Sequence, residues 1–402
     1  MIKLGVIGLG QRGYGLIKDT IIPQGEFKVT AVSDVYEDRR EQAAAAVMEL
    51  TGERPKAYAD YRGLINDPEV EAVIIASGWE YHVEMACASM KTGKWTAFEV
   101  GGAYSLDDCR KLVETYEETG TPCSMLENTC YGREELLVLN MVRRGLFGTV
   151  VHCAGGYRHC LLEEVSFGRE NRHYRFMNYL NRNCDNYPTH DLGPAANILN
   201  INHGNRMVSL VSVASKSAGL HEYIMEKKGG QYDAAAMTFA QGDIINTIIK
   251  CENGETILLT LDTTLPRYYS RGFHVQGTKA MYEEDNKSLF MAGNAEDEKN
   301  EFHWEQHWGN IKEYYDEYDH PIWKNMPEGG IPGGHDGIDY FEFCAVARAI
   351  KEKRMGPVDI YDAVTWMAVS ALSEESIKKG GAPVEFPDFT DGKWKTRPVW
   401  EP

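Results

Sequence analysis

The chain has 402 residues, too many for one ordinary hydrophobic core, so two domains are expected. Its net charge of −18 disfavours nucleic acid and anionic membranes as partners, and no apolar run is long enough to span a bilayer. Nine scattered cysteines without a C-x-x-C motif fit reduced thiols better than a disulfide framework. Because "MIKLGVIGLG" shows no secretory signal pattern, we expect a cytoplasmic protein.

Over the first third of the chain, apolar runs alternate with helical stretches such as "YEDRREQAAAAVMELTG". The runs predicted to be strands are "KLGVIGLG", "FKVTAVSD", "EAVIIAS", "WTAFEV" and "TPCSMLEN". Short buried strands separated by helices indicate parallel βαβ units. We therefore expect an α/β domain with a doubly wound parallel sheet over residues 1–128.

From about residue 149, longer β runs joined by turns such as "ENGE" predict a mostly antiparallel sheet. These runs are "TVVHCAGGYRH", "RMVSLVSVAS", "AAAMTFA", "DIINTIIKCE", "ETILLTLDTT" and "GFHVQGTKAMYEE". Helices are predicted at "YPTHDLGPAANILNI", "GIDYFEFCAVARAIKEK" and "YDAVTWMAVSALSEESIKKG". Residues 285–333 are interpreted as a long excursion over the surface or site. Residues 129–402 should form an α+β domain with an open sheet, whose C-terminal segment could pack back on the first domain.

A glycine-rich turn follows the first predicted strand at G-x-G-x-x-G spacing. Its glycines are Gly8, Gly10 and Gly13. They permit a tight turn, close approach of a pyrophosphate and close packing of strand on helix, as in a Rossmann dinucleotide site. Asp34 lies about twenty residues further on, where a carboxylate binds the ribose hydroxyls. NAD is therefore favoured over NADP, although Arg39 and Arg40 leave NADP open unless they belong to a solvated helix face.

Other residues near the carboxyl ends of the predicted strands are expected to line the cofactor site. They are Gln11, Arg12, Ser77, Trp79, His82 and Glu99. For Trp79 and His82, packing at the start of a helix is the alternative interpretation.

A possible metal-ligand group occurs in "YRHCLLEE". Its members are His159, Cys160, Glu163 and Glu164. Their spacing matches no common zinc or iron pattern, so we expect no metal site.

Six stretches, in their order and spacing, resemble the Gfo/Idh/MocA family of oxidoreductases, and most specifically its NAD-dependent α-N-acetylgalactosaminidase branch. They cover residues 125–157, 187–207, 262–271, 319–324, 333–340 and 358–396. The resemblance implies a Rossmann domain followed by an α/β domain whose open sheet makes the oligomer interface. It also implies an enzyme that hydrolyses glycosides with NAD.

The stretch "AFEVGG" differs from sugar dehydrogenases of this shape, which have Glu-Lys-Pro where this chain has Glu99, Val100 and Gly101. The resembled branch also lacks that lysine. A net dehydrogenase must assist loss of a hydroxyl proton and release its oxidised product. A hydrolase of this kind only transfers a hydride to NAD temporarily and returns it to the sugar in the same turnover. The implied reaction oxidises C3 of the sugar, which makes the C2 proton acidic, so that the aglycone leaves by elimination. Water addition and re-reduction complete the turnover.

The resemblance assigns catalytic roles to six residues. They are Tyr187, His190, Glu127, Tyr157, Tyr269 and His335. Tyr187 and His190 of "YPTH" are expected to transfer protons at the sugar and to lie side by side over the nicotinamide, with Thr189 capping the helix that follows. The alternatives are a backbone-satisfied helix-start histidine for His190, a turn-bonded carboxylate for Glu127 and a loop tip for His335. For Tyr157 and Tyr269 the alternative is packing with a wet hydroxyl.

One position departs from the branch, which usually has Gly after the motif histidine where this chain has Asp191. That carboxylate could orient His190 and raise its pKa, or contact a substrate hydroxyl, so it bears on specificity for N-acetylgalactosamine.

We therefore expect an NAD-dependent glycosidase that acts on a small glycoside or sugar and forms a homodimer or homotetramer through the C-terminal sheet. A plain NAD-dependent sugar or polyol dehydrogenase is the main alternative. A non-catalytic regulator that senses sugar and NAD is a third possibility, disfavoured by the retained proton-transfer groups.

Overall fold

The computed structural model describes residues 1–101, 103–327 and 330–402, so Gly102 of "AFEVGG" and two positions of the 285–333 segment lie outside the described residues. The chain divides into two compact units. The first comprises Met1–Gly132, Lys324–Thr365 and Trp400–Pro402, and the second comprises Arg133–Trp323 and Trp366–Val399.

The described residues contain the following regular elements. The strands are β1 (Ile2–Ile7), β2 (Phe27–Ser33), β3 (Lys56–Tyr58), β4 (Ala72–Ile75), β5 (Trp95–Glu99), β6 (Cys123–Leu126), β7 (Val150–Gly155), β8 (Met207–Ala214), β9 (Ile244–Cys251), β10 (Thr256–Asp262), β11 (His274–Gly277), β12 (Ala280–Glu283), β13 (Ser288–Met291) and β14 (Val384–Glu385). The α-helices are α1 (Gln11–Gly15), α2 (Ile22–Gln24), α3 (Glu37–Thr51), α4 (Tyr61–Ile65), α5 (Trp79–Lys91), α6 (Leu106–Thr119), α7 (Arg133–Arg143), α8 (Leu162–Ser166), α9 (Arg175–Asn181), α10 (Thr189–Ile198), α11 (Gly219–Lys228), α12 (Ala295–Lys299), α13 (Tyr315–Tyr318), α14 (Pro321–Lys324), α15 (Ile338–Lys351) and α16 (Ile360–Lys378). A π-helical segment joins α1 to α2 at Leu16–Ile21, and 3-10 helices lie at Asn128–Tyr131, Asp233–Ala236, Trp304–His307, Asn310–Tyr314, His335–Gly337 and Lys393–Lys395.

The sheet of the first unit has six parallel strands in the order β3-β2-β1-β4-β5-β6. The five strands predicted from apolar runs are all present, and β4 and β6 are buried along their whole length, as parallel strands covered on both faces should be. β3 was not predicted because "KAY" is short and largely exposed. The strand order reverses direction between β1 and β4, which creates the crevice where this class of sheet binds ligands.

A hydrophobic cluster of the first unit joins this sheet to α15. Leu4, Val6 and Ile74 from the sheet share the cluster with Phe343 and Val346 from α15. Helix α15 therefore belongs to the core of the first unit, although more than 200 residues separate it in sequence from β6.

The sheet of the second unit has eight strands in the order β13-β12-β11-β7-β10-β9-β8-β14. Only the β7–β10 pair is parallel among its described strands, which confirms the expected mostly antiparallel sheet. In β9, Ile245, Thr247, Ile249 and Cys251 are buried and the residues between them face outward. This alternation indicates one covered and one open face.

Two local predictions for the second unit are corrected by the structure. The run "AAAMTFA" is not a strand: it starts as the 3-10 helix Asp233–Ala236, and the chain beyond it bonds to Leu180 and Tyr179 at the end of α9, with no strand partner in the described chain. The 285–333 segment is more regular than an excursion, since it opens with β13 and continues through short helices.

Candidate active site

The glycine-rich turn after β1 has the geometry that a dinucleotide needs. Gly8 has φ +87°, and a Cβ there would lie 2.5 Å from the backbone of Ala76 and Ser77. A Cβ on Gly13 would lie 1.9 Å from the carbonyl oxygen of Gly8, whereas Gly10 has only the Arg39 side chain nearby, at 3.6 Å. Side chains are therefore excluded at two positions by backbone, and the third is open to a ligand.

Asp34 lies directly after β2 and supports the same turn. Its carboxylate accepts hydrogen bonds from the backbone N–H groups of Leu9 at 2.7 Å and Tyr36 at 2.9 Å. Arg40 donates to the Asp34 carbonyl at 2.7 Å, and Arg39 lies 3.9 Å from the carboxylate. The two arginines therefore reach toward Asp34 instead of pointing away on a solvated helix face.

Trp79 and His82 hold the loops that follow β4 and β5. The indole Nε1 of Trp79 donates to the carbonyl of Val100 at 3.1 Å. His82 Nε2 lies 2.9 Å from the carbonyl of Ser77, and burial lowers the pKa of His82 to about 4. The neutral His82 side chain therefore donates to a backbone carbonyl and holds the loop after β4. This contact agrees with the alternative interpretation of His82 as a packing residue at the start of a helix.

Arg12 connects the glycine-rich turn to β5 and α15. Its Nε lies 2.7 Å from Glu99 Oε1, while Nη1 and Nη2 bind Asp339 at 2.7 and 3.0 Å. Asn128 Nδ2 also donates to Asp339 at 2.7 Å. Gln11, by contrast, is exposed at the first position of α1. Sequence reasoning selected Arg12 and Glu99 but missed Asp339, whose link to Arg12 spans 327 residues.

Glu127 and His335 also lie in the first unit. Glu127 is fully buried immediately after β6, and its Oε1 accepts from Thr129 Oγ1 at 2.7 Å. His335 is not a bare loop tip, because its Nδ1 lies 3.1 Å from Asp339 Oδ2 and 3.4 Å from Arg12 Nη1. Its φ of +53° is uncommon for a residue other than glycine.

Tyr187 and His190 lie side by side in the second unit. The Tyr187 hydroxyl is 3.3 Å from His190 Nε2, and their rings meet edge to face with centroids 4.8 Å apart. Tyr157 lies beneath Tyr187 with a centroid distance of 4.2 Å and is 5.6 Å from the His190 ring. Three of the residues assigned from the resemblance thus form one compact group.

His159 extends this group, although the sequence analysis considered it only as a possible metal ligand. The Tyr157 hydroxyl lies 3.1 Å from His159 Nδ1, and the His159 ring is 5.3 Å from that of Tyr269. Burial, with Arg175 nearby, lowers the pKa of His159 and favours its neutral form. Its position two residues after Tyr157, hence on the same side of an extended chain, could have indicated this. Tyr269 remains 52% exposed.

Arg175 was missed because nothing in its local sequence marks it. It begins α9, and its guanidinium carbon lies 5.2 Å from the Tyr187 ring and 5.8 Å from the Tyr157 ring. Its Nη1 donates to Glu164 at 2.7 Å, and Glu164 also lies 3.2 Å from His173. Burial raises the pKa of Tyr157, while Arg175 opposes that effect. The arrangement places a fixed cation beside two phenol rings.

The turn that delivers His190 differs from the expected capped helix. Helix α10 begins at Thr189, and Pro188 occupies the N-cap position without a side-chain cap. Thr189 is thus the first helical residue, and its Oγ1 is buried with no hydrogen-bond partner in the described chain. Pro188 instead fixes the backbone at the start of the helix.

Asp191, which follows His190 in the chain, is buried. Its side chain is only 2% exposed, and neither carboxylate oxygen has a hydrogen-bond partner among the described residues. It packs against Gly155 of β7, where a Cβ would lie 2.6 Å from Asp191 Cβ. Burial raises its pKa well above the ordinary value, which Arg271 only partly opposes. The carboxyl group is therefore a buried neutral neighbour of His190 and makes no bond to it.

No group of three or more His, Cys, Asp or Glu side chains in the described ranges is arranged to hold a metal ion. Within the same ranges, no helix is long and apolar enough to cross a bilayer.

Two family models together cover nearly the whole chain. The model for the glycosyl hydrolase 109 C-terminal domain matches residues 131–396, and that for the oxidoreductase family with an NAD-binding Rossmann fold matches residues 2–126. An alpha-N-acetylgalactosaminidase from Tannerella forsythia is 38% identical over 98% of this chain and 87% of its own length. A glycosyl hydrolase family 109 protein from Stenotrophomonas maltophilia is also 38% identical, over 98% of this chain and 90% of its own length.

Solved structures share the architecture at low sequence identity. Levoglucosan dehydrogenase in complex with NADH and levoglucosan superposes with a TM-score of 0.71 at 16% identity, covering 96% of this chain and 99% of the other. Myo-inositol 2-dehydrogenase from Lactobacillus plantarum gives a TM-score of 0.67 at 12% identity, with 96% and 99% covered. These likenesses confirm the two-domain fold of the Gfo/Idh/MocA dehydrogenases.

Proposed function

Because the chain belongs to the glycosyl hydrolase 109 family and carries an NAD-binding Rossmann domain, we propose that it cleaves α-linked N-acetylgalactosaminides by NAD-dependent elimination. The proposed sugar is that of the alpha-N-acetylgalactosaminidase from Tannerella forsythia, to which this chain is 38% identical. The observation that carries the mechanism is the group formed by Tyr187, His190, Tyr157 and His159, whose polar atoms pair at 3.3 and 3.1 Å.

The first unit fits the cofactor. Its glycine-rich turn leaves no room for side chains at Gly8 and Gly13 and remains open at Gly10. Asp34 offers a carboxylate at the end of β2 for the ribose hydroxyls. When bound, NAD supplies the transient oxidation of the sugar at C3 and its later reversal.

The proton transfers belong to the tyrosine–histidine group. We assign to the Tyr187–His190 pair the removal of the C3 hydroxyl proton and then of the C2 proton, since a hydroxyl and an imidazole 3.3 Å apart can share one proton. Removing the C2 proton forms the C1–C2 double bond as the C1–oxygen bond breaks. Water then adds at C1, and a proton returns to C2.

The departing aglycone needs an acid. We assign this role to Tyr157, whose hydroxyl lies 3.1 Å from His159 Nδ1 and whose raised pKa keeps it protonated at neutral pH. Arg175 is the cation that would stabilise the phenolate left after transfer, because its guanidinium lies 5.8 Å from the ring.

A panel of nitrophenyl glycosides, assayed with and without added NAD after removal of bound nucleotide, tests the proposal. The expected result is nitrophenol release that needs NAD, strongest for the α-N-acetylgalactosaminide, without stoichiometric NADH. NADH accumulation with a free sugar would instead identify the sugar or polyol dehydrogenase. Sugar and NAD binding without turnover of any substrate would identify a sensing regulator.

We also propose self-association through the open face of the eight-stranded sheet. Leu258, Ile248 and Val211 are neighbours in register across β10, β9 and β8, and Ile248 is 53% exposed. Leu258 and Val211 are half-buried on either side of Ile248, and an apolar patch that is partly open to solvent is typical of an interface. Ile248→Lys should reduce the mass of a homodimer or homotetramer in analytical ultracentrifugation, whereas Lys250→Ile on the same face should not. A monomeric unmodified protein at assay concentration would refute this proposal.

The proposed location is the cytoplasm. All nine cysteines are free thiols, and a reducing compartment keeps them so. Alkylation of intact cells followed by mass spectrometry should find Cys160, the exposed one, reduced.

A further inference from the structure

Arg12 is shared by two carboxylates in the first unit. Its three nitrogens lie 2.7 to 3.0 Å from oxygens of Glu99 and Asp339. Burial alone would raise the pKa of Asp339, but hydrogen bonds from His335 and Arg12 outweigh it and hold that pKa well below its ordinary value. Arg12 carries one positive charge, and the carboxylates of Glu99 and Asp339 that it binds carry two negative charges, so these three side chains together have a net charge of −1.

Two further acids lie in the same buried region. Glu342 of α15 is 2% exposed, and neither of its carboxylate oxygens has a hydrogen-bond partner within the described parts of the chain. Burial, followed by Glu99 and Asp339, raises its pKa. Glu127 is fully buried at the end of β6. Arg12 is bonded to both Glu99 and Asp339, so its single positive charge cannot balance both of these carboxylates. His335, which also contacts Asp339, has a side chain that is 56% exposed to solvent.

The sheet topology places this charge on one half of the cofactor site. In a doubly wound sheet a dinucleotide lies across the carboxyl ends of the strands, with its two halves on either side of the switch point. Asp34, at the end of β2, marks the adenosine half. Glu99 ends β5 and Glu127 follows β6, on the other side of β1. The nicotinamide half therefore carries the excess carboxylates.

We propose that the carboxylates gathered around Arg12 make the first unit bind the oxidised cofactor, NAD+, in preference to NADH. The oxidised nicotinamide ring carries one positive charge and the reduced ring carries none, while the rest of the molecule is the same. A unit charge several ångströms away, at an effective dielectric constant of about 20, changes such an equilibrium on the order of tenfold. The preference keeps the cofactor oxidised between turnovers. It rests on NAD binding and not on the identity of the glycoside.

Isothermal titration calorimetry with NAD+ and with NADH on the full chain, freed of nucleotide, measures the preference. We expect NAD+ to bind about tenfold more tightly. Asp339→Asn and Glu99→Gln should each lower the ratio of the two Kd values about three- to tenfold, mainly by weakening NAD+. Glu118→Gln is the matched control, because it removes the same charge at the exposed end of α6, near the amino ends of the strands, and should leave the ratio unchanged.

Equal Kd values for the two cofactors in the unmodified protein would overturn the proposal. So would variants that weaken both cofactors by the same factor, which would indicate a purely structural role. If Glu118→Gln lowered the ratio of the two Kd values as much as the cluster variants do, the preference would come from the net charge of the protein and not from this cluster. If Asp339→Asn does not fold by circular dichroism, Glu99→Gln decides the question. Failure of glycoside cleavage would leave all these readouts intact, so the two proposals fail separately.

Discussion

The indole ring of Trp79 occupies the space that a side chain on Gly101 would need. A Cβ at position 101 would lie 2.4 Å from Trp79 Cδ1, and the same indole donates a hydrogen bond to the carbonyl of Val100. The segment that carries Lys-Pro in sugar dehydrogenases is thus replaced by a buried valine and a glycine under a tryptophan. The missing lysine is part of a packed arrangement and not an isolated substitution.

Gly101→Ala should destabilise the protein by about 1–3 kcal/mol, the usual cost of overpacking, because both the indole and the loop are fixed by the bond to Val100. Thermal unfolding monitored by circular dichroism measures the effect. Gly15→Ala is the control: its Cβ would meet only a side-chain oxygen at 4.0 Å in helix α1, so it should be neutral or slightly stabilising. Equal melting temperatures for Gly101→Ala and the unmodified protein would contradict the packing argument.

NAD should bind more tightly than NADP, because the Asp34 carboxylate pairs with ribose hydroxyls and repels a 2′-phosphate. Asp34→Ala should narrow the gap in calorimetric Kd values, although it also removes the bonds to Leu9 and Tyr36 and will weaken both cofactors. Arg39→Ala tests whether the arginine 3.9 Å from Asp34 contributes to NADP binding. Equal affinities in the unmodified protein would remove this prediction.

Tyr187→Phe and His190→Ala should each reduce kcat on the best glycoside on the order of 10²–10⁴-fold, the usual contribution of one acid–base group. NAD binding should persist, since the glycine-rich turn and Asp34 are untouched. Tyr268→Phe is the control, because it removes a phenol hydroxyl from a tyrosine of the second unit that is 76% exposed. If both variants keep full turnover, this assignment is wrong, and Tyr269 or His335 must carry out the proton transfer instead.

Turnover in deuterated water should place deuterium at C2 of the released sugar. Elimination requires the C2 proton to leave, and a tyrosine–histidine pair with partly exposed His190 exchanges protons with solvent before returning one. Nuclear magnetic resonance of the product reads the label, and the unreacted glycoside serves as the control. Absence of label at C2 would exclude elimination and leave direct displacement, with its two flanking carboxylates, as the mechanism.

Asp185, two residues before Tyr187, should make stability depend on pH. Burial raises its pKa to about 7, against about 4 in an unfolded chain. Between these values the unfolded chain has released the proton that the folded chain still holds. The free energy of unfolding should therefore fall with rising pH, by up to about 1.4 kcal/mol per unit, and level off above pH 7.

Asp185→Asn should remove this contribution, so that urea denaturation gives a flatter stability profile between about pH 4 and 7. Asp107→Asn, at an exposed site, should keep the slope of the unmodified protein. An identical slope in Asp185→Asn would mean that other buried acids, such as Asp191, account for the pH dependence.

The sequence predicted those parts of the molecule that local rules determine. The glycine-rich turn and Asp34 follow from spacing along one βαβ unit, and the strands follow from apolar runs. The pairing of Tyr187 with His190 was expected from the family resemblance, and the short turn through the two residues between them, Pro188 and Thr189, makes it possible.

Other parts of the site depend on contacts that spacing does not encode. Arg175 reaches Tyr157 and Tyr187 from a separate helix, and Asp339 reaches Arg12 across 327 residues. The prediction of a strand at "AAAMTFA" was wrong for a related reason. A short apolar run does not show whether its backbone will bond to a strand or, as here, to the end of α9. His159 was visible in the sequence but was weighed only as a metal ligand.

The contact between Asp191 and Gly155 has an evolutionary consequence. The Asp191 side chain occupies the volume that a Cβ on residue 155 would need, so only one of the two positions can carry a side chain there. With glycine at position 191 the space beside Gly155 would be vacant and alanine could be accepted there, whereas the Asp191 side chain excludes it. Among related sequences, glycine at one of the two positions is therefore expected to accompany any larger residue at the other.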